Sequence, residues 1–186
     1  MKLAPIERPP GLRMRIAYWL GRRRFGKVPT ALKVIYARAP KLSMLGYRQQ
    51  QVVEKGLSLE RELVLLIEAQ SSQLNDCGFC KDLHRAQAVQ ARIGLEKWSH
   101  LLDYASSPHY SDRERAALAW CEEITRTRRA GDAAFEALRK HFDERQIVEI
   151  TWLNALGNYY NLMAVPLGLE SDELTALALS RAGGST

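Results

Sequence analysis

The chain has 186 residues, 46% of them apolar and 26% charged, the proportions of an ordinary globular domain, which excludes wholesale disorder. Its net charge of +6 is unevenly held: residues 1–50 carry twelve Lys and Arg against a single acid, Glu7, for +11, while residues 51–186 carry 15 against 20, for −5. Three cysteines are too few to staple a domain of this length, and no basic start leads into an apolar stretch and a cleavage site, so a cytoplasmic protein without a secretory leader is expected.

Taken in chain order, the patterns are helical and no hairpin turn signal occurs. Pro5, Pro9 and Pro10 make an extended lead-in, and Leu12 to Arg24 reads as a short basic amphipathic helix. Residues 1–28 are expected to form a basic arm. Such an arm can seek nucleic acid, anionic lipid or an acidic neighbouring subunit, and the apolar residues between its charges favour the subunit. Helices follow over 30–38 and 41–55, broken by Pro40. Ser58 reads as the N-cap of the next, whose first turn carries Glu60 and Glu62.

Asp76 is expected to cap a helix from about Cys77 to Arg92, ended by Gly94, with another near 96–105. Ser111 with Glu114, and Asp143 with Gln146, have the spacing of capping boxes and open helices to about Arg129 and Met163, with a further helix from Asp132 between them. Ser171 is expected to cap the last helix. The uncharged run Ile150–Leu169 has membrane-spanning length, but three Asn, two Gly and Pro166 suit a buried helix better. The expectation is an all-α protein: arm over 1–28, one helical domain over 29–180, and a disordered tail over 181–186.

The chemistry concentrates in Asp76-Cys77-Gly78-Phe79-Cys80-Lys81-Asp82-Leu83-His84. Thiols three apart at a helix start lie one turn apart, near enough to bond. His84, four beyond Cys80 and seven beyond Cys77, shares their face. Helix amides favour a thiolate, and a histidine at i+4 can take or return its proton. Three readings are open: redox-active thiols, a metal site of Cys77, Cys80 and His84 completed by His100 or Cys121, or two buried structural cysteines. Cys121, with no partner at CxxC spacing, reads as a core cysteine. The polar run Asn158-Tyr159-Tyr160-Asn161 borders either the thiol pocket or a subunit contact.

The run from Glu62 to Gln70, then Ser72-Gln73-Leu74-Asn75-Asp76-Cys77-Gly78-Phe79-Cys80-Lys81-Asp82-Leu83-His84, resembles the AhpD-like core of the carboxymuconolactone decarboxylase family, particularly its peroxidase-related branch. Phe25-Gly26-Lys27-Val28-Pro29, Ser111 to Trp120, Val148-Glu149-Ile150 and Asn158 to Asn161 extend the resemblance over roughly 25–170.

The resemblance implies an AhpD-like helical bundle assembled into trimers or hexamers, and an alkylhydroperoxidase in which Cys80 attacks the peroxide, Cys77 resolves it, and His84 with an upstream Glu relays protons. A hydroperoxide substrate and a thiol or dithiol reductant are the partners so implied. No metal or other cofactor is required, and neither membrane nor nucleic acid is expected as a partner. The family pattern puts its Glu twelve before the first cysteine, where Leu65 stands here; Glu68, one turn on, is the substitute, and Glu62 a more distant one. Two rivals remain: a lactone-acid decarboxylase of the kind that names the family, and a non-catalytic redox sensor or adaptor.

Overall fold

The computed structural model describes residues 1–183, and among these there is no strand. Among the described residues nine α-helices run α1 (Gly11–Phe25), α2 (Pro40–Lys55), α3 (Arg61–Leu74), α4 (Gly78–Gln90), α5 (Glu96–Ser99), α6 (Asp112–Thr127), α7 (Asp132–Arg139), α8 (Glu144–Ala164) and α9 (Leu174–Gly183). A π-turn over Leu32–Tyr36 lies between α1 and α2, where a regular helix over 30–38 is the sequence expectation. The all-α class agrees with the sequence.

The core forms around α3, whose residues Leu63 to Ser72 are all buried. A helix buried on every side has no solvent face and belongs in the middle of a bundle. It packs against α4, α6 and α8, and Leu65, Leu66, Ile67, Leu118, Ile150 and Leu153 meet there. Its approach to α8 is close because Gly157 faces Ser71: a Cβ at 157 would stand 2.3 Å from the Ser71 hydroxyl.

Both capping boxes form as spaced, at Ser111/Glu114 and Asp143/Gln146. Three other expected starts are corrected. Ser58 does not cap α3, which begins after Glu60; its amide and hydroxyl both donate to Glu149 Oε2 on α8, at 2.8 Å each. Asp76 takes φ +50° and pairs with Lys81 at 2.6 Å, so the N-cap of α4 is Cys77. Ser171 lies too early to cap α9. That role falls to Asp82 on α4, whose carboxylate accepts from the amides of Asp172, Leu174 and Thr175 at 3.1, 2.8 and 2.9 Å. Its acceptors satisfy the orphan amides of a helix start from another helix.

The helix expected over 96–105 shrinks to α5, followed by a run of turns. Trp98, Leu101, Tyr104, Ser107 and Tyr110 are nonetheless all buried. Their spacing is three, and successive three-residue turns place every third side chain on one side, which an α-helix would spread around its surface.

The first 28 residues, expected as an arm, fold onto their own chain. The Lys2 amide donates to the Leu167 carbonyl, the Tyr18 hydroxyl to the Ile6 carbonyl at 2.6 Å, and Arg24 pairs with Glu54 on α2 at 2.6 Å. Gly21 lets α1 come close, since a Cβ there would lie 3.0 Å from both Leu32 and Pro29. Of the segment expected as a tail, residues 181–183 complete α9, and 184–186 lie outside the described residues.

Candidate functional site

The turn from α3 into α4 is fixed by hydrogen bonds that follow from its Asn and Ser content. The Asn75 side-chain amide donates to the Ser71 carbonyl and to the side-chain oxygens of Asn158 and Asn161, at 2.8, 3.0 and 3.0 Å. The Cys77 amide donates to the Ser72 carbonyl at 2.9 Å. Cys77 therefore arrives at the first turn of α4 with its side chain turned inward, and its sulfur accepts from the Cys80 amide at 3.2 Å. Cys77 and Cys80 are joined as a disulfide and both are buried.

One turn further along α4, His84 is buried and its Nδ1 lies 3.3 Å from Gln87 Oε1. An amide oxygen can only accept, so Nδ1 carries the hydrogen of this contact and Nε2 is the nitrogen left to face the cavity chemistry. Glu68 Oε2 stands 3.8 Å from the same Nδ1, too far for a hydrogen bond, and has no hydrogen-bond partner in its buried position. Burial pushes the Glu68 carboxyl above its ordinary range, and the nearby His84 and Arg61 oppose that only in part.

These groups open onto one cavity of about 660 Å³. Cys80, Glu68, His84 and Gln87 line it, while Cys77 sits behind Cys80. The rest of the wall is mostly apolar, with Leu20 and Phe25 from α1, Ile35 and Tyr36 from the π-turn, and Tyr160 and Met163 from α8. The Tyr160 hydroxyl donates to Gln49 Oε1 at 3.0 Å. Burial pushes the Tyr36 phenol up to about 12 and raises that of Tyr160 as well, so both present neutral hydroxyls.

All four residues singled out in the sequence thus come together: Cys77, Cys80, His84 and Glu68. Leu65, at the position of the family's glutamate, is fully buried in the main core, and Glu62 pairs with Lys97 at 2.8 Å away from the cavity. Cys121 belongs to the main core, and His100 stacks on His109 with ring centres 5.4 Å apart. Of the polar run on α8, Tyr160 borders the cavity while Asn158 and Asn161 hold Asn75. Sequence reasoning missed Gln87, although its spacing of three from His84 and seven from Cys80 places it on the same face. It also missed the wall supplied by α1, for which no local signal exists.

Comparison with known proteins gives the same direction. Residues 44–123 match the carboxymuconolactone decarboxylase family. The uncharacterized protein YnjA of Escherichia coli K12 is 30% identical over 160 residues, covering 85% of this chain and 87% of that protein. ATU0492 of Agrobacterium tumefaciens, a protein of unknown function put forward as an AhpD antioxidant-defence protein, is 31% identical with a TM-score of 0.68, over 74% of this chain and 96% of that one. The debrominase Bmp8 shares the fold at 18% identity and a TM-score of 0.81, over 96% of each chain. On the strength of the family match and of these relatives, the chain belongs to the carboxymuconolactone decarboxylase family as an AhpD-like member.

Proposed function

We propose that the protein is a thiol peroxidase that reduces hydroperoxides through a Cys77–Cys80 dithiol/disulfide cycle. The observation that carries this reading is the pairing of a bonded Cys77–Cys80 with His84 one turn away, Cys80 and His84 sharing one cavity wall. In the reduced protein, His84 Nε2 takes the Cys80 thiol proton, the resulting thiolate attacks the outer oxygen of the peroxide, the O–O bond breaks, and the departing alkoxide takes that proton back from His84. Cys80 is left as a sulfenic acid. The Cys77 thiol then attacks that sulfur, releasing water and closing the disulfide. An external thiol or dithiol returns two electrons by exchange. When it attacks Cys80, Cys77 leaves as a thiolate whose charge the Cys80 amide receives. Glu68 is the reserve carboxyl behind His84, able to take up or supply the Nδ1 proton after a small movement.

The test is the intact mass of the reduced protein after one equivalent of cumene hydroperoxide, with Cys80→Ser alongside. Loss of two hydrogens and one equivalent of cumyl alcohol in the wild type, both absent in the variant, are the expected result. An unchanged wild-type mass overturns the reading. Release of CO₂ from a lactone acid, undiminished in Cys80→Ser, would establish the decarboxylase instead.

A further inference from the structure

The cavity has two chemically different ends. Its lining includes the buried residues Cys80 and His84 at one end and the exposed Arg23 and Arg24 of α1 at the other. Arg24 is neutralised by Glu54 at 2.6 Å. Arg23 has no carboxylate within salt-bridge distance among the described residues, and its guanidinium lies 5.6 Å above the Trp19 ring, which steadies it without consuming its charge. No Asp or Glu occurs between Glu7 and Glu54, so nothing in the surrounding sequence offsets that cation. Among the described residues the only carboxyl on the cavity wall is Glu68, buried beside His84 and away from the exposed Arg23, so an entering anion meets attraction at the mouth.

Between the ends lies apolar wall, and about 660 Å³ is within the range that buries an extended organic ligand, far more than hydrogen peroxide fills. We infer that the cavity takes amphiphilic hydroperoxides, with the apolar body against Phe25, Ile35, Phe79 and Met163, the peroxide at Cys80, and an anionic terminus such as a carboxylate on Arg23. This rests on the peroxidase reading and narrows its substrate class. Arg23 is then a specificity-determining residue at the mouth, and the preference for an anionic terminus weakens with added salt, because the contact is exposed.

The experiment compares a long-chain fatty-acid hydroperoxide with its methyl ester as substrates of the wild type and of Arg23→Gln. The wild type is expected to favour the acid by about 5–10-fold in kcat/KM, the scale of one partly exposed charge-assisted contact. In Arg23→Gln the ratio of acid to ester should fall to near one. A wild-type ratio of one or below, or a ratio untouched by Arg23→Gln, overturns the inference.

Calorimetric titration with dodecanoate and dodecan-1-ol, below their micelle concentrations, runs beside it. Tighter dodecanoate binding that Arg23→Gln removes supports the site, and equal binding of acid and alcohol overturns it. Should neither acid, ester nor tert-butyl hydroperoxide be consumed, the peroxidase reading falls, and the titration still decides the anionic subsite.

Discussion

Glu68 Oε2 lies 3.8 Å from His84 Nδ1 while Gln87 Oε1 lies 3.3 Å from the same atom, so an amide holds the position a carboxylate would be expected to take. The histidine is thereby anchored by a neutral acceptor, and the Oε2 of the buried carboxyl stands beside it without a hydrogen-bond partner.

Exchanging that carboxyl for an amide separates its two effects. The folded-state pKa of Glu68 is raised above 4.5 by burial, so its contribution favours folding below 4.5 and is lost as pH rises through the raised value. Glu68→Gln should therefore melt higher than the wild type at pH 8, with the gap closing toward pH 4, and should consume peroxide about 10–100-fold more slowly. Melting curves that stay parallel across this range would contradict the burial argument.

Gln87 offers a direct readout of imidazole state. In Gln87→Leu the acceptor at Nδ1 is gone and the two neutral tautomers are expected to mix, visible in the ¹⁵N shifts of His84. Peroxide reduction should fall by about tenfold with an altered pH profile. Unchanged ¹⁵N shifts would show that the tautomer is held by something other than Gln87.

The Asp82 clamp gives a prediction about α9. Burial pushes the Asp82 carboxyl up, but the amides of Thr175 and Leu174 outweigh it and hold the group below 3.8. Its contribution is present above 3.8 and lost as pH falls through the depressed value. Asp82→Ala should cost about 1–2 kcal/mol at pH 7 and much less at pH 2–3. Amide hydrogen exchange should locate the loss in the first turn of α9, and uniform exchange changes across the chain would refute the local cap.

Packing between α3 and α8 is checked by Gly157→Ala. The added methyl would stand 2.3 Å from the Ser71 hydroxyl, so the helices must separate, at about 1–3 kcal/mol in urea unfolding. Ser71→Ala in the same chain should return part of that, a coupling measurable by a double-mutant cycle.

How far the sequence foretold this arrangement depends on the range of each interaction. The helical class, both capping boxes and the shared face of Cys77, Cys80 and His84 follow from spacings within one element. Two of the three misplaced caps involve a competing long-range partner: Ser58 is taken by Glu149, and α9 is capped by Asp82, about ninety residues earlier; the third, Asp76, is turned away by its own backbone and pairs with Lys81 close by. The helix expected near 96–105 stops at Ser99 because the buried positions from Trp98 to Tyr110 recur every third residue, which suits successive turns rather than an α-helix. The α1 wall was invisible because nothing in Leu12 to Arg24 says which surface will receive it.

That wall also sets a schedule. The cavity draws on residues from Ala17 to Ala164, so it cannot exist until the end of α8 has been synthesised. At typical rates of elongation the ribosome adds the residues between Cys80 and Ala164 over roughly 4–17 s. During that interval the two vicinal thiols hang from a nascent chain without their sheltering walls, open to any oxidant and to premature bonding. Cys121, which emerges midway through it, is the one other thiol with which they could cross-link within the chain.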